Sequence, residues 1–153
     1  MRINIRCGVF ETNSSSTHSV SIGEGDLNDF PEIGGRRLLR IDFGEYDWEH
    51  EEFTTAQDRL SYAATYAHNY GGAEKERMLE EVIKENLKVL TIRFSESSEC
   101  YEKGYIDHAS HDEAASIFET KDTLARFLFN KDSMFETSND NSDEWLGVYD
   151  SWD

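Results

Sequence analysis

Near the start of the chain, between two apolar stretches, lies Phe10-Glu11-Thr12-Asn13-Ser14-Ser15-Ser16-Thr17-His18-Ser19, ten residues of which nine are polar. Hydroxyls and turn amides of this kind can build an anion-binding nest. Glu11 and His18 can serve as an acid/base pair if a hairpin brings them together, with Asn13 and Ser15 adding polar contacts to a phosphate or a water. The same composition also makes an ordinary turn, because Asn, Ser and Thr side chains bond their own backbone. A second cluster, Asp107, His108 and His111, sets a carboxylate beside two imidazoles, a donor set that suits a divalent metal. Asp140, Asp143 and Glu144 offer further oxygens, but no HExxH, CxxC or EF-hand spacing accompanies them. Ser110 reads instead as a helix cap, which leaves His111 exposed in a first helical turn.

A third feature runs from Asp42 to Glu52, DFGEYDWEHEE. Glu45, Asp47, Glu49 and Glu51 recur with period two. In an extended segment they line one face about 6.6 Å apart, with Tyr46 and Trp48 on the other. Such a row, flanked by Asp42 and Glu52, can imitate a phosphate backbone and occupy a groove lined by Lys and Arg. A solvated acidic loop would have the same composition. Trp145 and Tyr149 stand among acids near the C-terminus, where aromatics can anchor a protein interface or simply pin the tail to the domain.

The elements that must position these groups follow from periodicity. Ile3, Ile5, Cys7 and Val9 alternate with polar residues, which predicts a strand over 3–9, and Val20 and Ile22 predict another over 18–22. Residues 23–35 hold four glycines and the only proline and read as a loop. Leu39, Ile41 and Phe43 place a strand over 36–43, and Leu90, Ile92 and Phe94 one over 89–95. Thr54 to Gln57 has capping-box spacing ahead of a helix over 55–70, with Tyr62, Tyr66 and Tyr70 as one stripe. Gly71-Gly72 separates it from a helix over 73–88 whose stripe is Met78, Leu79, Val82, Ile83 and Leu87. A short strand near Tyr105, two short helices and a closing strand over 133–137 follow. The order of strands, then helices, then a mixture predicts one α+β domain over 1–138, an antiparallel-rich mixed sheet with helices packed on it, followed by an acidic aromatic tail over 139–153.

Composition bounds the partners. The chain of 153 residues carries 32 Asp and Glu against 15 Lys and Arg, a formal charge of −17. Such a field repels nucleic acid and anionic membranes and steers the protein toward a basic protein surface. No stretch approaches the roughly 18 apolar residues of a membrane span. Two cysteines and an N-terminus without a signal-peptide core predict free thiols and a cytoplasmic location.

The string MRINIRCGVFETNSSSTHSVSI resembles the N-terminus of small proteins of phages and mobile elements, some of them associated with inhibition of CRISPR–Cas9. The likeness is close over about 20 residues and extends to Gly104-Tyr105-Ile106-Asp107-His108-Ala109-Ser110 and Asn139-Asp140-Asn141. It implies an anti-CRISPR-like inhibitor that blocks guide RNA or DNA binding by a Cas effector, with no cofactor. The alternative from the residues themselves is a small phosphoester or nucleotide enzyme, nuclease-like, using Glu11, Asn13, Ser15, His18, Asp107 and His108, with a divalent metal as its possible cofactor.

Overall fold

The computed structural model describes residues 16–46, 51–95, 103–107 and 110–139. Helix α1 spans Ala56–Tyr66 and starts where Thr55, in extended backbone, accepts the Asp58 amide on its hydroxyl at 3.1 Å. The cap is therefore one residue later than the capping-box spacing suggested. Gln57 does not fold back on it; its side-chain amide donates to the Arg40 carbonyl at 2.9 Å. From Arg59 to Tyr66 every residue of α1 is buried, so it is the central helix. It passes into a π-helical turn, Ala67–Gly71, where the Asn69 amide donates to the Thr65 carbonyl at 2.9 Å and the Lys103 carbonyl at 2.7 Å. Gly72, at φ +84°, then breaks the run and opens α2, Gly72–Leu87, which buries Leu79, Val82, Ile83 and Leu87. The short helix α3 spans His111–Ser116 and α4 spans Lys121–Phe129, capped by Thr120.

The strands are β1 (Ser16–Ser21), β2 (Leu38–Asp42), β3 (Glu45–Tyr46), β4 (Glu51–Phe53), β5 (Thr91–Ser95), β6 (Tyr105–Ile106) and β7 (Met134–Asn139). β7 lies between β1 and β4, antiparallel to both. β2 pairs with β5 and β3 with β6, both parallel. The molecule is one α+β domain with antiparallel and parallel strands, as predicted. The expectation that 18–22, 36–43 and 89–95 share one antiparallel-rich sheet is corrected: β1 joins the C-terminal strand, and β2 and β5 form a separate parallel pair. The reason is the connection, since α1 and α2 both lie between β2 and β5 and return the chain in the same direction. The predicted strand over 3–9 lies outside the described residues.

The core where α1 meets β7 is aromatic. Tyr62 stacks on Phe135 at a centroid distance of 4.1 Å and Phe53 stacks on Phe135 at 4.5 Å. Tyr46 meets Tyr62 edge-on at 5.0 Å. Such geometries follow from ring quadrupoles and add to the burial of large apolar area. Gly104 closes β6 against β3: at φ +82° a side chain is strained, and a Cβ there would run into the Gly44 carbonyl, which accepts the Tyr105 amide at 2.9 Å.

Candidate functional site

His18 of the polar N-terminal string is only 1% exposed. The alternation of β1 turns it inward, where its Nδ1 shares a 2.9 Å hydrogen bond with the Tyr62 hydroxyl. Burial, reinforced by the neighbouring Tyr46 and by Glu113, holds the Tyr62 phenol far above its ordinary pKa. It stays neutral, and the pair is a hydrogen-bonded part of the core. Glu11, Asn13 and Ser15 lie outside the described residues.

Asp107 is also buried, at 2% exposure, and lies 3.5 Å from the Tyr105 hydroxyl, which donates to it. His111 is not exposed in the way its helix-start position suggested. It is half-buried, its ring 4.0 Å from that of Tyr70, and its Nε2 is 2.8 Å from the Ile106 carbonyl. The Tyr70 hydroxyl accepts the Ile106 amide at 3.2 Å, so the two rings clamp both backbone polar groups of Ile106 in β6. Ser110 sits at the cap position of α3 without its hydroxyl bonding the first-turn amides. His108 lies outside the described residues, as do Asp140, Asp143 and Glu144. Among the described residues no group of three His, Cys, Asp or Glu side chains is placed to hold a metal ion.

The acidic row is arranged differently from a single extended face. Asp42 ends β2, Glu45 starts β3, and Glu51 and Glu52 belong to β4, so the described carboxylates come from three separate strand pairings. All four are exposed, while Phe43 and Tyr46 between them are buried and Phe53 is half-buried. The buried rings of Phe43 and Tyr46 fix the backbone beside Asp42 and Glu45, while Glu51 and Glu52 are both exposed although, as neighbours on β4, they face opposite ways. Asp47 and Glu49, and the tail residues Trp145 and Tyr149, lie outside the described residues.

Two features were not anticipated from the sequence. Arg59 is fully buried. Its Nη1 donates to the Thr54 carbonyl at 2.6 Å and the Ser133 carbonyl at 3.0 Å, and its Nη2 to Asp29 at 2.7 Å and the Leu128 carbonyl at 3.2 Å. The signal was available, since Arg59 falls three residues after Ala56 and four before Ala63, on the apolar side of α1. The second is that residues 23–30 form a strap over the end of α4. The amides of Asn28 and Asp29 both donate to the Phe129 carbonyl, at 2.8 and 2.9 Å. Asn130 donates from its side chain to the carbonyls of Glu24 and Asp26, at 3.1 and 3.0 Å. Gly23 must be glycine, because a Cβ there would overlap the Asn130 side chain. The Phe129 carbonyl, one of those that a helix C-terminus leaves unpaired, is thus satisfied by a loop distant in sequence.

Beyond the strap, Glu32, Ile33 and Gly34 form one wall of a cleft of about 380 Å³, whose other walls are Leu38, Arg40 and Asp42 of β2 and Gln57 of α1. His68 is a half-buried titratable group. Its ring lies 4.4 Å from that of Phe94 and 5.3 Å from that of Phe43. Burial pulls its pKa below the ordinary histidine value, against the opposing pull of Glu76.

Comparison with protein-family models, curated proteins and solved structures found no match to this chain. Among the described residues no helix is long and apolar enough to cross a membrane.

Proposed function

We propose that this protein is a stoichiometric inhibitor from a phage or mobile element, which sets an acidic surface against the basic nucleic-acid channel of a host defence enzyme in the bacterial cytoplasm. The observation that carries the reading is the exposure of Asp42, Glu45, Glu51 and Glu52 beside the buried rings of Phe43 and Tyr46. Carboxylates on ordered backbone keep fixed spacings, so little conformational entropy is lost when they meet fixed cations. The formal charge of −17 steers such an encounter and disfavours direct contact with nucleic acid. The likeness of the N-terminal string to phage and mobile-element proteins favours an anti-CRISPR-like role. A Cas effector holds its heteroduplex in a positively charged channel through backbone contacts, a surface that an acidic protein can cover without cofactor or metal.

The enzyme reading gains less support. His18 and Asp107 are both buried, and His18 is bonded to Tyr62, so neither is presented to a substrate at the surface. The test is a titration of the protein into a purified Cas effector, with guide-RNA loading and DNA cleavage as readouts. Inhibition complete near one molar equivalent, weakening as salt rises through the physiological range, is expected. Full inhibition at a small fraction of an equivalent, with cleaved nucleic acid as product, would replace this reading with the catalytic one.

A further inference from the structure

Three large apolar side chains stand exposed among the described residues: Phe30, Tyr70 and Leu90. Tyr70 is accounted for by its clamp on β6. Phe30 differs from both others in its surroundings. It is 48% exposed, yet its ring is fixed by stacking on Phe129 at 5.4 Å, at the end of a strap that Arg59 and Asn130 tie to the core. Four acids, Glu24, Asp26, Asp29 and Glu32, flank it within the same short segment. A few residues further the chain walls the cleft, whose lining brings the carboxylates of Glu32 and Asp42 together with apolar Ile33 and Leu38. The one cation of that cleft, Arg40, is drawn toward Ser95, whose hydroxyl accepts from its Nη2 at 3.4 Å.

We propose that the strap and its cleft are a docking surface for a basic segment of a protein partner, which covers Phe30 and inserts a lysine or arginine between Glu32 and Asp42. Ile33 and Leu38 match the aliphatic stem of such a side chain, and the two carboxylates match its head. A pre-fixed aromatic ring in a charged rim is the composition of an interface anchor, because little freedom remains to be lost on binding. The surface is continuous with the acidic strands through Asp42. The inference thus rests on the proposed basic protein partner and names where that partner's side chains enter.

The experiment uses the full, isotopically labelled chain and two synthetic peptides, one alternating Arg with Leu and the other Glu with Leu. The arginine peptide should shift the amide resonances of Phe30, 32–34, 38–42 and Gln57, and the glutamate peptide should leave them in place. Phe30→Ala should weaken arginine-peptide binding about tenfold, and the pair Glu32→Gln with Asp42→Asn about fivefold. The Asn28 and Asp29 amides report whether the strap stays seated; where Phe30→Ala releases it, the Glu32/Asp42 pair alone decides. Equal binding of the glutamate peptide, or variants with unchanged affinity, would overturn the docking surface and leave Phe30 only a cover for Phe129. Shifts confined to Glu45, Glu51 and Glu52 would sink this inference while sparing the proposed function. Shifts confined to the strap and cleft would spare the inference and remove the β3 and β4 carboxylates from the interface.

Discussion

His18 and Asp107 beside α1 and the carboxylates on the outer strands were all candidate functional residues in the sequence, and the fold treats the two sets in opposite ways. Around α1, His18, Arg59 and Asp107 are buried and bonded within the fold: His18 with Tyr62, the two Nη atoms of Arg59 with three carbonyls and Asp29, Asp107 with Tyr105. On the strands, Asp42, Glu45, Glu51 and Glu52 remain exposed. A buried polar group without partners would cost stability, so the interior ones are tied into the fold. An exposed carboxylate adds little to stability. The difference teaches that residue type pointed to chemistry in both regions, whereas burial separates groups that hold the fold from groups left at the surface.

The sharpest way to break this contrast is at Arg59. Arg59→Met removes a buried cation and leaves the carbonyls of Thr54, Leu128 and Ser133 and the Asp29 carboxylate short of a donor. A loss of about 3–5 kcal/mol in urea denaturation is expected, on the scale of breaking a buried ion pair. A loss below about 1 kcal/mol would show that Arg59 does not organise the strap. Tyr62→Phe is the next largest. It keeps the stack on Phe135 but deprives His18 Nδ1 of its hydroxyl partner, with an expected cost of about 1–3 kcal/mol.

His68 sharpens the contrast through pH. Its folded-state pKa is lowered, chiefly by burial, so below the unfolded value of about 6.5 the unfolded chain binds a proton that the folded chain resists. Stability is therefore expected to fall as pH drops from about 6.5 toward the lowered folded value. His68→Leu should flatten that part of a stability-versus-pH series. An unchanged slope between pH 7 and 5 would assign the loss to other groups. At the small end stands the exposed set: Asp42→Asn with Glu45→Gln, Glu51→Gln and Glu52→Gln should change stability by no more than about 0.5 kcal/mol per position.

Much of the fold was legible because its elements bury one face. The alternation of Leu39 and Ile41 marked β2, the stripe from Leu79 to Leu87 marked α2, and Gly71-Gly72 marked the break between the helices. Partner choice was not legible, because period two says which face is buried and nothing about which strand lies alongside. β1 pairing with β7 is the example. The row from Glu45 to Glu51 read as one extended face, yet its two described ends lie in different pairings, since spacing alone cannot reveal a strand switch. The strap was read correctly as a loop, but its anchoring depends on Asn130 and Arg59, far away in sequence.

The central claim is that the exposed strand carboxylates form the binding surface, and one calorimetric comparison tests it most directly. The parent protein and the variant neutralised at Asp42, Glu45, Glu51 and Glu52 are each titrated into the same purified Cas effector at two salt concentrations. The account predicts about one-to-one binding for the parent, weakening with salt, and an affinity lower by about tenfold or more in the variant, at unchanged fold. Equal affinity and equal salt dependence for the two proteins would contradict it.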